Sequence, residues 1–125
     1  MKIGITVAAA LVFSQAAMAA APATKPPGAI SCIDSQHIDG QSADGDDAIL
    51  FRVGPKTYRN RLASACPGLP RLNNFGGLAT EPWGGQLCKG DSVRVFDRDS
   101  VRTVGIDAFP LCRLGWFEPV PPKRP

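Results

Sequence analysis

Four cysteines constrain this chain more than any other feature of its sequence. Cys32, Cys66, Cys88 and Cys112 all lie downstream of an N-terminal stretch with the pattern of an export signal. An even number of cysteines in a short exported chain predicts a disulfide framework, and therefore an oxidising compartment. No two of them form the close C-x-x-C pair that is typical of zinc sites and redox-active dithiols. We therefore expect all four cysteines to serve structure.

The first 19 residues predict a cleaved signal peptide. Lys2 provides a basic start, residues 3–13 are apolar, and Ala17-Met18-Ala19 has the small-x-small pattern that signal peptidase accepts. The apolar run is shorter than the roughly 20 residues that a membrane-spanning helix needs. We therefore expect no transmembrane segment after cleavage, and a product that is periplasmic or secreted by a bacterium.

The remaining chain divides into three parts by composition. Residues 20–28 hold three prolines and predict a flexible linker, residues 29–119 predict a single β-rich domain, and residues 120–125 predict a disordered, proline-rich tail. The formal net charge is +3 and falls to +2 when Lys2 leaves with the leader. That surplus is too small to indicate nucleic-acid binding.

Short alternating segments predict a mostly β fold, a small antiparallel sheet or incomplete barrel of about five or six short strands held by two disulfides. Residues 48–53 and 57–62 are short runs that alternate or are rich in β-forming residues, and Gly54-Pro55-Lys56 between them predicts a hairpin turn. The residues expected to face the core are Ile49, Phe51, Val53, Tyr58 and Leu62. Further strands are expected within residues 30–38, 92–96, 101–104 and 108–117, and residues 67–85 are expected to form a long irregular loop.

Four cysteines allow three pairings, and the sequence alone does not choose among them. We expect a nested arrangement. Cys66 and Cys88 would close the loop that they bracket, and Cys32 and Cys112 would join the first and last strands.

Residues that could carry catalysis or bind a metal are few. His37 is the single histidine, and no G-x-S-x-G nucleophile motif is present, so we expect His37 to lie on the surface and predict no catalytic residue. Asp44, Asp46 and Asp47 surround Gly45 in an acidic turn, but their spacing differs from that of a calcium-binding loop. We therefore expect neither a metal nor a cofactor.

The candidate binding residues are three arginines and one tryptophan. Alternation places Arg52, Arg59 and Arg61 on the outer face of the predicted hairpin, and Arg94 would extend this stripe if its strand lay alongside. Trp83 lies between glycines and a proline, which favours an exposed loop position. These residues could bind an anionic envelope component or a protein partner, whereas the alternative is that the charges only keep the sheet soluble.

Several short motifs of the chain suggest a family. They are Asp46-Asp47, Tyr58-Arg59-Asn60-x-Leu62, Cys66-Pro67-Gly68-Leu69, Leu87-Cys88-x-Gly90-Asp91 and Cys112-x-Leu114-Gly115-x-Phe117-x-Pro119. In this combination the chain resembles a group of small exported bacterial proteins that share a domain of unknown function. The resemblance implies a proteobacterial envelope protein and no particular activity.

Two functions follow as expectations. The first is a non-enzymatic binding or accessory protein of the bacterial envelope, and the alternative is a small hydrolase or inhibitor-like protein acting on envelope polymers. A cleft that holds His37 beside a carboxylate and a serine would favour the hydrolase. An exposed patch of arginine and tryptophan without such a cleft would favour binding.

Overall fold

The computed structural model describes residues 3–4, 7–10, 24–81 and 84–121. The predicted signal-peptide cleavage position and Trp83 lie outside these residues. The strands are β1 (Cys32–Asp34), β2 (Ile38–Asp44), β3 (Ala48–Val53), β4 (Lys56–Arg61), β5 (Gly76–Thr80), β6 (Gln86–Cys88), β7 (Ser92–Asp97), β8 (Leu111–Arg113) and β9 (Phe117–Val120). One short α-helix, α1 (Val101–Val104), and three 3-10 helices (Ser35–His37, Leu69–Asn73 and Ile106–Ala108) connect them.

The mostly β fold is confirmed, but its strands form three small antiparallel sheets and no closed barrel. The four-stranded sheet has the order β2-β3-β4-β9, the three-stranded sheet has the order β5-β7-β8, and β1 pairs with β6. The described residues hold nine strands, more than the five or six expected, because two predicted strands are divided into shorter ones and β5 and β6 form where no strand was expected. Residues 30–38, for example, contain β1, a 3-10 helix and the start of β2.

The predicted hairpin of residues 48–62 is confirmed as β3 and β4. Phe51 lies opposite Tyr58, and Val53 lies opposite Lys56 across the turn. Gly54 adopts a φ of +60° there, a conformation that glycine takes without steric cost. Ile49 and Phe51 are fully buried, whereas Val53, Tyr58 and Leu62 are half-buried against the same core.

Two predictions of local structure are wrong. Val101–Val104 forms the helix α1 rather than a strand, because the Asp97 carboxylate accepts hydrogen bonds from the N–H groups of Asp99 and Ser100 and so turns the chain. Residues 67–85 are not an irregular loop, since they hold the 3-10 helix Leu69–Asn73 and strand β5, which pairs with β7.

The core lies between the inner faces of the sheets and contains one polar side chain among the described residues. Its largest fully buried apolar side chains are Phe51, Phe117, Ile49, Leu69, Leu87, Leu114, Val93 and Val95. Phe51 and Phe117 meet edge to face, with ring centroids 5.6 Å apart. Asn60 is fully buried among them and bonds to the backbone of Gly115.

All four cysteines are paired, but not in the nested arrangement expected above. The disulfides are Cys32–Cys88 and Cys66–Cys112. Cys32 lies directly opposite Cys88 because β1 pairs with β6 rather than with the last strand. That long-range pairing decides the connectivity, and it leaves Cys66 to meet Cys112 on β8. Two disulfides indicate an oxidising environment outside the cytoplasm.

The edges of the four-stranded sheet are partly closed by the chain itself. On β9, Phe117 exchanges both backbone hydrogen bonds with Ile30, and Pro119, two residues further along the same edge, has no N–H to offer. On β2, the Asn73 carboxamide bonds to both the N–H and the carbonyl of Ala43. Within the described residues, no helix has the length and apolar character needed to cross a bilayer.

Candidate functional site

The three predicted arginines do lie on one face, the outer face of the four-stranded sheet. Register places Arg59 opposite Leu50, and Arg52 opposite Thr57, so these side chains point away from the core residues Phe51 and Asn60. The same register brings two carboxylates to this face, Asp44 on β2 and Glu118 on β9. The outer face therefore carries three arginines and two acids.

Two of the arginines are paired with those acids. Arg59 Nε lies 2.7 Å from Asp44 Oδ2, with both side chains about half-exposed. Arg61 Nε lies 3.8 Å from Glu118 Oε2, and the Arg61 side chain is 68% exposed. Ion pairs of this exposure contribute roughly 0–1 kcal/mol to folding. Their larger effect here is to neutralise one end of the outer face.

Arg52 differs from the other two because it makes no ion pair or side-chain hydrogen bond within the described residues. It is exposed, and its side chain passes close to Gly40 on the neighbouring strand. A side chain at position 40 would meet Arg52 within 4 Å. The guanidinium therefore lies over bare backbone at the hairpin end of the sheet, where no described carboxylate neutralises its charge.

Arg52 lines one shallow depression, which adjoins a second. One, of about 340 Å³, is lined by Gly40, Gln41, Ser42, Leu50, Arg52 and Thr57. The other, of about 780 Å³, shares Leu50 and Thr57 with the first and continues past Lys56 and Tyr58 to residues 119–121. Together they form a continuous surface with apolar and polar parts, and Arg52 and Lys56 are the cations among the residues that line it.

Arg94 does not extend the arginine stripe, because its strand β7 belongs to the three-stranded sheet. It bonds there to the carbonyl of Phe109 and lies 3.7 Å from Asp107. Trp83, the fourth predicted binding residue, lies outside the described residues, so its part in binding stays a prediction.

His37 lies on the surface in the 3-10 helix Ser35–His37, with its side chain 72% exposed. Its Nδ1 lies 2.7 Å from Asp34 Oδ2, which resembles the base-and-carboxylate half of a catalytic triad. The adjacent Ser35 hydroxyl instead donates to the Gly85 carbonyl at 2.8 Å. His37 lines neither of the depressions beside Arg52. Within the described part of the chain, the cleft that would have favoured a hydrolase is not formed around this histidine.

The Asp34 carboxylate beside His37 is also fixed by a backbone hydrogen bond. The Gln36 N–H donates to Asp34 Oδ1 at 2.9 Å, and this bond, together with His37, lowers the pKa of the Asp34 carboxyl below its ordinary value, against an opposing effect of desolvation. The carboxylate therefore caps the 3-10 helix and remains ionised at neutral pH.

The aspartates in and just before the acidic turn of residues 44–47 do not converge in the structure. Asp44 turns to Arg59, and Asp39 accepts a hydrogen bond from the Gly54 N–H at 3.1 Å. Across the described segments, no group of three or more His, Cys, Asp or Glu side chains is placed to hold a metal ion.

One cleft was not expected from the sequence. It has a volume of about 390 Å³ and lies between the edge of β2, at Asp39, Gly40 and Gln41, and the edge of β5, at residues 76–78. Leu72 and Phe96 provide apolar walls, and Arg98 lies at its rim. Because the composition of residues 67–85 predicts a loop rather than a strand, sequence reasoning had no means of placing these two edges together.

Trp116 forms a second unexpected cluster. The Nζ atoms of Lys25 and Lys89 lie 5.9 Å and 5.1 Å from its ring centroid, within cation–π range. Ala29 is buried, and Gly28 lies against Pro119. Residues 24–28, predicted as part of a flexible linker, therefore contact the folded domain.

No family model, curated protein or solved structure matches this chain.

Proposed function

We propose that this chain is a non-enzymatic binding protein of the bacterial envelope, exported to the periplasm or beyond, that binds an anionic envelope component through the outer face of its four-stranded sheet. Arg52 is the main contact. The observation that supports this proposal is the exposed guanidinium of Arg52, which has no ionic partner among the described residues and lies beside two adjoining depressions.

The ion pairs on the outer face decide how readily each of the three arginines can bind an anion. Arg52 can bind an anion without first giving up an internal partner, whereas Arg59 would have to leave its 2.7 Å contact with Asp44. Arg61 is intermediate, because its contact with Glu118 is long and its side chain is largely exposed. A guanidinium matches carboxylate and phosphate groups with two parallel hydrogen bonds, which a lysine cannot provide.

The alternative of a small hydrolase draws less support from the same surfaces. Hydrolysis through His37 needs a nucleophile within hydrogen-bond reach of the imidazole. The serine two residues away is bonded to Gly85, and the His37 ring faces the Asp34 carboxylate. Binding by Arg52 needs only the side chains already exposed.

The test is retention of the purified mature protein on two anionic probes. One probe is a vesicle containing phosphatidylglycerol, and the other is dextran sulfate, a soluble polyanion without lipid. Retention on one and not the other identifies whether a lipid headgroup or a polymer supplies the anion. In both cases retention should fall as salt rises, because exposed charges are screened within about 10 Å at 0.1 M salt.

The variants Arg52→Glu and Arg113→Glu make the same change of charge at two sites. Arg113 is exposed on β8, in the three-stranded sheet, so its variant controls for net charge alone. We expect Arg52→Glu to weaken retention at least tenfold and Arg113→Glu to have little effect. Equal loss in both variants, or retention that does not respond to salt, would contradict the proposal.

A further inference from the structure

The edge of β2 already binds an amide. Asn73 Oδ1 accepts a hydrogen bond from the Ala43 N–H at 2.9 Å, and Asn73 Nδ2 donates to the Ala43 carbonyl at 3.1 Å. The backbone groups of Ala43 must therefore point away from β3. Since the direction of these groups alternates along an antiparallel strand, the backbone N–H and carbonyl of Gln41 point to the same open side. Gln41 lines the cleft between β2 and β5.

The opposite wall of this cleft, on β5, also has backbone groups that face away from the neighbouring strand. The Arg98 N–H donates to the Phe75 carbonyl, so Phe75, and by alternation Gly77, direct their backbone groups toward β7. Leu78 must then direct its N–H and carbonyl away from β7, at the free edge of the three-stranded sheet. Leu78 also lines the cleft. Two strand edges, each with an outward-facing backbone pair, thus border one opening.

We propose that this cleft binds an extended peptide segment of a partner protein, which adds as a strand between Gln41 on β2 and Leu78 on β5. A peptide bond presents the same donor and acceptor as the Asn73 carboxamide. The peptide would therefore repeat, one position along β2, the bond pattern that Asn73 makes with Ala43. Strand addition of this kind gains affinity from main-chain hydrogen bonds and specificity from side-chain contacts.

Phe75 provides an independent observation at the same place. It is the single non-glycine residue with positive φ in the described chain, at 58°, and it is 76% exposed although it is aromatic. A bulky residue in the left-handed region costs of order 1 kcal/mol or more, and such strain collects at binding sites. Phe75 immediately precedes Gly76, which lines the cleft. In the proposed complex, its exposed ring packs against the bound strand.

The charge and shape of the cleft restrict the peptide. Asp39 and Arg98 stand on opposite walls, and Leu72 and Phe96 are apolar. A segment with no net charge and with short side chains that leave its amide groups free to bond fits this lining better than a polyanion. The peptide site therefore goes beyond the arginine face proposed above, although Gly40 and Gln41 border both surfaces.

The experiment uses a displayed library of random heptapeptides as the probe. Peptides enriched on the oxidised full-length mature protein are synthesised, and their binding is measured by calorimetry. Amide hydrogen exchange then reports the site, since strand addition should slow the exchange of the Gln41 and Leu78 amides in particular. N-methylation of alternate peptide bonds should abolish binding in one register of methylation and spare it in the other.

Two protein variants provide the matched test. Gln41→Pro removes an N–H that faces away from β3, and should weaken peptide binding at least tenfold. Phe75→Gly relieves the positive φ, so it should raise the melting temperature while weakening the same peptide. A merely structural role for Phe75 would not separate stability from binding in this way. Leu111→Pro, at the exposed edge of β8, is the control and should bind as the parent does.

The proposal is overturned if no peptide is enriched over a control protein, or if bound peptides protect other amides. It is also overturned if the cleft amides are already protected in the free protein through a dimer seen by light scattering, because a second copy of the chain would then be the occupant. Peptide binding that survives both Gln41→Pro and Phe75→Gly overturns it as well.

Discussion

Asn60 bonds to Gly115 in both directions: Asn60 Nδ2 donates to the Gly115 carbonyl at 2.9 Å, and the Gly115 N–H donates to Asn60 Oδ1 at 2.8 Å. The side chain of a strand residue thus takes the place of a neighbouring strand for one residue. It satisfies both backbone groups where the chain passes from β8 to β9, and the Asn60 side chain that does so is itself fully buried.

Replacement of Asn60 by alanine is expected to destabilise the protein by about 2–4 kcal/mol, because both backbone groups of Gly115 lose a partner that is itself fully buried. Asn73→Ala is the matched control, since Asn73 makes the same pair of bonds with Ala43 at an exposed edge. Water can replace that amide, so the cost should be no more than about 1 kcal/mol. Urea unfolding of both variants checks the difference, and equal costs would contradict it.

Gly115→Ala should be among the most damaging single substitutions in the chain. A Cβ atom at this position would lie well under 3.0 Å from the carbonyl oxygen of Arg61, which is backbone and cannot rotate away. Gly54→Ala is the control, because Gly54 has a φ of +60° but no atom within 4 Å of the added Cβ. It should cost about 1 kcal/mol. Thermal unfolding should show Gly115→Ala to be several-fold more costly, or unable to fold.

The two disulfides should be reduced in a fixed order. Cys66 and Cys112 are 5% and 1% exposed, whereas Cys32 and Cys88 are half-buried. A reducing thiolate must reach a sulfur atom in line, so Cys32–Cys88 should open first under native conditions. Alkylation and peptide mapping during a titration with dithiothreitol would reveal the order, and simultaneous loss of both bridges would refute it.

Removal of either disulfide by paired alanine substitution should cost about 4 kcal/mol in the chain-entropy model, since the bridges span separations of 56 and 46 residues. This is comparable to the whole stability of a small domain. Circular dichroism of each double variant at 25 °C and 37 °C is the measurement. A variant that stays fully folded in both conditions would count against a contribution of this size.

The Asp34 carboxyl should make folding depend on pH in the acid range. Its pKa is lowered in the folded state, first by the bond from the Gln36 N–H and then by His37. A lowered folded pKa stabilises the protein above the ordinary aspartate value of about 3.9, and this contribution is lost as pH falls through the folded pKa. Asp34→Asn should therefore be less stable than the parent at pH 6, and the difference should shrink as pH falls below the ordinary aspartate value of about 3.9. A difference that does not shrink with falling pH would exclude Asp34 as its source.

Local pattern was sufficient for the β3–β4 hairpin and for the outer face of its arginines. The β-forming residues 48–53 and the turn at Gly54 act between neighbours in sequence, so register followed directly. The same reasoning failed at Val101–Val104. Four residues that were expected to extend form a helix there, because Asp97 and Ser100 provide a local alternative set of hydrogen bonds.

The disulfide pairing and the cleft between β2 and β5 depend on contacts between distant parts of the chain. Cys32 meets Cys88 only because β1 and β6 pair although the two cysteines are 56 residues apart in sequence, and no local motif encodes that choice. The role of Asn60 could not be predicted from the sequence either. An asparagine between Tyr58 and Leu62 resembles an interruption of an apolar face, and its role depends on a contact with Gly115, which is distant in sequence.

The order of the bridges along the chain also bears on how the protein matures. The two native loops overlap, since Cys66 lies inside the loop closed by Cys32 and Cys88. A chain that meets an oxidant with its N-terminus first presents Cys32 and Cys66 together before Cys88 has emerged, and their union would be non-native. Correct maturation therefore requires either delay of oxidation until β6 has reached β1, or an isomerase that reshuffles the first bond formed.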